Sequence, residues 1–365
     1  MLPIFKKKLI ITDKIVLCIN IVATLFLLMS YLAPYANPAK FGLIAVLGFA
    51  YPILVPVNMI FIIYWLIRPI KLYSLLSLVS VIIGFSYIIC YCGMHFKSSL
   101  GQQKPMGVIR IMQFNVRAFG IFDDNGKAVQ KGIYNFLRNT NPDIISMEEF
   151  YSVIYNNGDV TDSIRRVMQS KYKYFQPFKI TPTDSTGNAI FSKYPIIHSG
   201  AVLFNNGDFT RAIYVDVKIQ GKIVRVYSVH LAAVQIQDEE KAKFLEGRIS
   251  INRTLFIENK LISAFKKRSQ QADVIKQHIN KCPYPVIITG DFNDTPISYS
   301  VNTIGRGLQN AFKAKGSGFL KTYYSNYPLQ IDFIFTGKSF DILNYFTADN
   351  KLSDHKPVIS DVLLK

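Results

Sequence analysis

Two packed β-sheets with helices interspersed, an α+β fold in the form of a two-sheet α/β sandwich preceded by three transmembrane helices, is the architecture this sequence predicts. Three observations carry it. The first hundred residues hold three long uncharged apolar runs, at 15–33, 41–67 and 72–94. Beyond residue 105 the chain changes to short apolar runs of strand length, separated by amphipathic stretches. Six local clusters in that second part place a polar or acidic residue at the end of an apolar run, which periodicity alone does not require.

Each long run reaches the ~20 residues needed to cross a bilayer core. Pro52 and Pro56 lie within the second and predict a kink, which neighbouring helices can accommodate. Buried helices of a soluble protein would show a polar face, and none interrupts these runs. Lys6, Lys7, Lys8 and Lys14 precede the first run, Arg68 and Lys71 separate the second from the third, and only Lys40 marks the opposite loop. The positive-inside bias puts the first two groups in the cytoplasm. Three crossings from there make a multi-pass membrane protein whose C-terminal domain is periplasmic or otherwise extracytoplasmic. The first run is longer than the ~7–15 residues of a signal peptide. Cleavage there would leave the domain on the same side. The expected division is a membrane region at 1–97, a polar linker at 98–105 containing Gly101 and Pro105, and one domain at 106–365.

The formal charge is +18. Residues 1–104 contribute nine basic side chains against the single acid Asp13, and the remainder carries 33 basic against 23 acidic residues. A basic domain suits a polyanionic substrate or an anionic membrane surface. Evenly spread solubility charge reads the same way. Cys18, Cys90, Cys92 and Cys282 have neither disulfide-framework nor zinc spacing, so the domain folds without staples.

Within the domain, strands are expected at 108–114, 143–147, 188–191, 213–219, 222–229, 286–289, 330–335 and 357–362. Gln220-Gly221 joins two of them as a hairpin turn. Helices are expected at 127–139, stopped by Asn141-Pro142, and at 161–169. Residues 238–281 follow a helical pattern broken near Gly247 or Asn252. No internal repeat or low-complexity tract is present.

The six clusters are Gln113-Phe114-Asn115, the run from Pro142 to Glu149, Val229-His230-Leu231, the run from Ile288 to Asp294, the run from Gln330 to Ile334, and the run from Ser353 to Pro357. Neighbouring strands would bring these ends to one rim lined with carboxylates, amides and two imidazoles. Such a set suits hydrolysis of a phosphate ester. Oxygen ligands hold Mg2+, donors neutralise phosphoryl charge, and a carboxylate and an imidazole handle water and phosphate.

These clusters resemble the signature motifs of the endonuclease/exonuclease/phosphatase superfamily, whose fold is called DNase I-like. The resemblance runs from about Val108 to Leu364 and rests on the G-D-F-N string at Gly290 and the S-D-H-x-P-V string at Ser353, following P-D-I-I at Pro142. It implies a hydrolase using Mg2+, or Mn2+ in its place. Glu149 would be the principal metal ligand, since Met147-Glu148-Glu149 stands where the family has L-Q-E, with Asn115 and Asp354 beside it. His230 would contact the scissile phosphate, and Asp291 would activate water or protonate the leaving group. Asn293 would steady phosphate and nucleophile, and Asp332 would orient the phosphate-contacting His355. Asn188, in a G-x-A-I-x-S run, and Arg211, in Thr210-Arg211-Ala212, would line the substrate pocket.

Other residues read more plainly. Glu148 is either an exposed neighbour of a ligand or a supporting residue behind it. His198 reads as an exposed loop residue, His95 as interfacial and His278 as a helix-surface histidine. Tyr323, Tyr324 and Tyr327 either stack on a substrate ring or pack at the pocket edge. Lys266-Lys267-Arg268 is a solvated helix face or one turned to lipid headgroups. The expected partners are the bilayer and a phosphoester substrate, whether nucleic acid, phospholipid or inositol phosphate. No feature calls for an obligate protein partner. A catalytically inactive, membrane-tethered binding module is the alternative, and the intact set of polar positions weighs against it. A transporter would need ionisable residues within the spans, and there are none.

Overall fold

The computed structural model describes residues 9–96, 104–153, 160–204, 212–234 and 251–365, side chains of 251–256 excepted. The chain divides into two compact units. One takes the described residues of 1–90 with those of 235–269 and 297–302; the other takes those of 91–234, 270–296 and 303–365.

In the first unit, α1 (Ile11–Ser30) and α2 (Gly42–Ile67) are continuous helices of 20 and 26 residues, long and apolar enough to cross a membrane. The third apolar run is not a single helix. It forms a tight turn at Lys71–Tyr73, then α3 (Ser74–Ile83) and α4 (Phe85–Ile88), with Gly84 at the break. The Tyr31 ring closes on that glycine so tightly that a Cβ there would lie 2.2 Å from its outer atoms. The run also ends early, because Cys92–Met94 forms a strand, β1.

The polarity of this unit is inverted relative to a soluble bundle. Ile15, Ile19, Val22, Leu25 and Phe26 of α1 and Ile53, Ile60 and Ile63 of α2 are exposed, whereas Asn20, Thr24, Asn58 and Ser77 are buried. Asn20 Nδ2 donates to Ser77 Oγ at 2.6 Å, Trp65 Nε1 to Asn20 Oδ1 at 2.9 Å, and Thr24 and Ser77 both donate to Asn58 Oδ1. Asn58 Nδ2 completes the set on the Ala23 carbonyl. Apolar outside and hydrogen-bonded inside is the arrangement expected where the surrounding solvent is hydrocarbon.

A long helix, α7, covers Ile251–Asn280, while the part of the expected helical stretch before residue 251 lies outside the described residues. Phe265 meets Phe49 at 6.1 Å between ring centroids. Arg268 is buried with its guanidinium 4.9 Å over the Phe265 ring, so the basic run is not a uniformly solvated or lipid-facing surface.

The second unit is a sandwich. After β1 come β2 (Ile109–Asn115), α5 (Gly126–Thr140), β3 (Ile144–Val153), α6 (Val160–Met168), β4 (Tyr172–Ile180) and β5 (Asp184–Ser192). Then follow β6 (Ile196–Ala201), β7 (Ala212–Ile219), β8 (Lys222–His230) and, after α7, β9 (Val286–Asp291). The chain ends with α8 (Tyr299–Gly305), β10 (Gln309–Asn310), α9 (Ala311–Lys315), β11 (Ser317–Phe319), β12 (Asp332–Thr336), β13 (Phe340–Thr347) and β14 (Val358–Leu364). One six-stranded sheet has the order β13-β14-β2-β3-β5-β4, the other β10-β12-β9-β8-β7-β6, and β1 pairs with β11. Both large sheets are mixed: β2 runs parallel to β3 and β8 parallel to β9, while the remaining pairs are antiparallel. Two sequence signals set the ends as expected. Asn141, at φ 49°, caps α5 before Pro142, and Gln220-Gly221, both at positive φ, turn β7 into β8.

Side-chain alternation along these strands positions everything that follows. Ile109 and Ile111 of β2 and Ile144 of β3 pack inward against Val224, Val226 and Ile287 of the other sheet. Met112, Phe114, Ile145 and Met147 point the other way, onto Ile133, Leu137, Ile164 and Met168 of α5 and α6. Continuing the inward parity along each strand reaches Gln113 and Asn115, Ser146 and Glu148, Ser228 and His230, and Thr289 and Asp291. The inner face therefore begins apolar and ends polar on strand after strand. Ser146 Oγ and Thr289 Oγ1, 2.6 Å apart, join the two sheets at the crossover between these zones.

Candidate active site

Because β2 and β3 are parallel and β8 and β9 are parallel, their C-terminal ends meet at one rim. Asp332 reaches the same rim from the start of β12, where antiparallel pairing sets it opposite Asp291. Asp291 Oδ2 is the point of convergence. Asn115 Nδ2 donates to it at 3.1 Å, Asn293 Nδ2 lies at 3.3 Å, His355 Nε2 at 3.6 Å and His230 Nε2 at 3.8 Å. The other oxygen, Oδ1, accepts the Asn293 N–H at 2.8 Å. Gly290 makes the approach of β8 possible: its φ is 153°, and a Cβ there would lie 1.9 Å from the Val229 carbonyl oxygen.

His355 is held from behind. Its Nδ1 donates to Asp332 at 3.0 Å, which leaves Nε2 facing Asp291. Gln113 Nε2 donates to both Asp332 Oδ1 (2.9 Å) and Glu148 Oε2 (2.8 Å), and Ser228 Oγ donates to Glu148 Oε1 at 2.7 Å. Glu148 is thus fully buried and supporting, not an exposed neighbour. Burial pushes its carboxyl up to about 8, against the pull of the Ser228 and Gln113 hydrogen bonds. Burial likewise raises Asp291, with the His355 charge opposing. For His355, burial alone would lower the imidazole, but the Asp332 and Asp291 carboxylates outweigh it and favour the protonated ring.

Glu149 reaches the rim by a bulge. Met147 pairs with Ala189 and Phe150 with Gly187, so β3 carries one residue more than β5 across this interval. Glu149 takes φ 51°, which turns a side chain that would follow Met147 outward toward the site instead. Its Oε1 lies 3.3 Å from Asn115 Nδ2 and 3.8 Å from His230 Nε2, and its side chain is 39% exposed. Asn188 is buried on β5 opposite this bulge. Asn293, at φ 50°, also donates to the Leu231 carbonyl, tying the β8 and β9 ends together.

Asp354 is not among the groups drawn to Asp291, though its charge acts on the neighbouring His355. Its carboxylate meets Ser353 Oγ at 3.2 Å and Arg117 Nε at 3.9 Å. Arg211 lies outside the described residues. Among the described residues, the acid-and-imidazole group close enough to share one ion is Asp291, Asp332 and His355, all buried. The rim donors Glu149 and Asn115 offer amide and carboxylate chemistry that fits a hard divalent cation, while the Asp332–His355 pair is already committed to its own hydrogen bond.

Sequence reasoning gave no role to Gln113, inside one recognised cluster, or to Ser228, one residue before another. Their parity was the available signal: each sits one inward step before a rim residue. It also misplaced two histidines. His278 is not a free helix-surface residue but has Nδ1 2.9 Å from Tyr227 Oη and packs 4.9 Å from Tyr214. His198 is exposed, as expected, but on strand β6, stacked on Tyr214. Of the tyrosine cluster, Tyr323 packs edge-on against His355 at 4.9 Å and pairs with it as an isolated bridge.

Two family models match the chain. A domain of unknown function matches residues 13–91. The Endonuclease/Exonuclease/phosphatase family matches residues 112–355, two thirds of the length. Among solved structures, the endonuclease/exonuclease/phosphatase of Beutenbergia cavernae is 18% identical with a TM-score of 0.51, over 72% of each chain. The endonuclease/exonuclease/phosphatase from Bacteroides vulgatus is 19% identical with a TM-score of 0.51, over 71% of this chain and 99% of its own. A humanized D. rerio TDP2 is 14% identical with a TM-score of 0.50, over 70% and 99%. At such identities the likeness is one of fold. No curated protein matches the chain. The sandwich, the rim and the match over most of its length together place the chain in the endonuclease/exonuclease/phosphatase family.

Proposed function

We propose that the protein is a divalent-metal-dependent phosphoesterase held at a membrane, with its catalytic unit on the non-cytoplasmic side. The observation that carries the reading is the convergence on Asp291 Oδ2 of two imidazoles and two amides, all within 3.8 Å. Glu149 and Asn115 would hold Mg2+ or Mn2+, with Asp354 at the edge of the ion's surroundings. When bound, such an ion supplies charge that neutralises the phosphoryl oxygens. Asp291, steadied by the Asn293 N–H, is placed to take a proton from the attacking water or return one to the leaving group. Asn293 steadies phosphate and nucleophile. His230 and His355 turn Nε2 toward the same small volume and donate to the phosphate, and Asp332 keeps His355 protonated and oriented to do so. Asn188 would line the substrate side.

The membrane reading is supported by the two long helices and the inverted polarity of their unit. The turn at Lys71 and the two short helices after it span 71–88, about 27 Å at ~1.5 Å per residue, near the ~30 Å hydrocarbon thickness. They would make a third crossing despite the break at Gly84. Lys14, Arg68 and Lys71 then mark the cytoplasmic side.

A panel of nucleic acid, phospholipid and inositol phosphate substrates tests the reading. Purified protein should hydrolyse at least one of them with Mg2+ or Mn2+ and none in chelator. Equal hydrolysis in chelator removes the metal-dependent mechanism.

A further inference from the structure

The chain leaves β2 through four consecutive residues with left-handed backbone: Arg117 (φ 44°), Ala118 (51°), Phe119 (59°) and Gly120 (63°). Only the last is glycine. A Cβ disfavours this conformation, so three such residues in a row persist only where their surroundings hold them. Those surroundings are visible. Phe119 is fully buried against Phe150 at 5.3 Å, its N–H is bonded to the Val116 carbonyl at 2.8 Å, and the Arg117 N–H is held by Asn115 Oδ1 at 3.1 Å. The turn therefore fixes Arg117 to the same residue that faces Asp291 and Glu149.

Arg117, its side chain 51% exposed, lines two cavities. The smaller, about 200 Å³, is bordered by Glu149, Phe178 and Lys179. The larger, about 400 Å³, is bordered by Lys351, Ser353 and Asp354. Arg117 Nη1 lies 3.2 Å from Asp123 Oδ2, and Nε lies 3.9 Å from Asp354 Oδ2. All three side chains are solvated, so these ion pairs are weak and exchangeable. A planar guanidinium fork matches a phosphate better than it matches two separate surface carboxylates. The imidazoles of His230 and His355 meet at Asp291 instead, where the scissile phosphate is expected.

We infer that Arg117 is a specificity-determining residue that receives a second phosphate group of the substrate, next to the one that is cleaved. This rests on the phosphoesterase reading. The left-handed turn pre-positions the guanidinium, so little side-chain ordering is left to the moment of binding. The same chemistry is offered by the next phosphate of a nucleic-acid strand and by an extra phosphate on an inositol headgroup.

The test uses full-length protein in detergent with Mn2+ and two matched pairs. One pair is a dinucleoside monophosphate and the same molecule with an added terminal phosphate. The other is glycerophosphoinositol and its ring-phosphorylated form. In wild type, the added phosphate should lower KM on at least one pair, and that pair identifies the source. Arg117→Ala should erase about tenfold of that preference, the worth of one charge-assisted hydrogen bond. Arg117→Gly, which suits the positive φ while removing the guanidinium, should lose the same amount, and Arg117→Lys should restore part of it. A merely structural role would change both members of a pair alike. An unchanged preference in Arg117→Ala and Arg117→Gly overturns the inference alone. Failure of wild type to hydrolyse any of the four, or the phospholipid of the wider panel, overturns the phosphoesterase reading and the inference with it.

Discussion

In the N-terminal unit Asn20, Thr24, Asn58 and Ser77 are buried polar side chains, and each finishes its hydrogen bonds on another helix. In the sandwich, Glu148, Asp291 and Asp332 are buried as deeply, yet they crowd like charges into one small region. The first arrangement is closed: neutral donors meet neutral acceptors, and nothing is left to attract a ligand. The second is open, because burial first, and the neighbouring carboxylates after it, raise the proton affinity of Glu148 and Asp291 until a cation or proton relieves them. The difference separates polar groups that hold a fold from polar groups that do chemistry. It turns on charge and on what remains unneutralised, since depth of burial is common to both.

The comparison is broken most severely by removing the open arrangement. Asp291→Asn or His355→Ala should lower kcat by about a thousandfold, measured in steady-state hydrolysis. A loss of only a few fold would mean that the rim is structural, like the helix seam. The sandwich also holds a closed ion pair for contrast. Arg110 Nε and Nη2 donate to the two oxygens of Asp361 at 2.7 and 2.9 Å, both residues buried and far along their strands from the rim parity. Asp361→Ala leaves a buried guanidinium uncompensated and should cost ~3–5 kcal/mol in a urea melt. Glu148→Ala strands the donors of Gln113 and Ser228 and should cost ~1–3 kcal/mol. Glu148→Gln should cost less, because one of the two acceptors remains. The smallest effect belongs to the helix seam. Asn58→Leu should lower thermal stability in detergent by roughly 0.6–1.7 kcal/mol, with kcat unchanged. A large loss of activity there would mean the two kinds of burial are not separate.

The strands legible in the sequence and those that were not divide along a physical line. The expected strands all became interior ones: β2, β3, β5, β7, β8, β9, β12 and β14. Flanked on both sides, they need the apolar runs that made them readable. The longer strands that escaped notice, β4, β6 and β13, are sheet edges. β4 reads Tyr-Lys-Tyr-Phe-Gln-Pro-Phe-Lys-Ile, with charge and a proline on a half-exposed strand, as edges tolerate and interiors do not. At the site, motif spacing led to Asn115, His230, Asp291, Asn293, Asp332 and His355, which the fold brings together. It could not show that Glu149 depends on a bulge, because one extra residue in β3 is defined only against β5. It also named Asp354 as a metal ligand, and the fold puts that carboxylate 3.9 Å from Arg117 Nε. The third apolar run was composed like a single crossing, and it breaks at Gly84, where the Tyr31 ring from a distant part of the chain closes in.

What the whole reading depends on is that Glu149, turned in by its bulge, holds a divalent cation beside Asp291. Titration of full-length protein with Mn2+, following free ion by electron paramagnetic resonance, addresses that directly. Wild type should bind the ion, and Glu149→Ala should bind it at least about tenfold more weakly while melting at an unchanged temperature. Equal affinity in the two proteins would contradict the account.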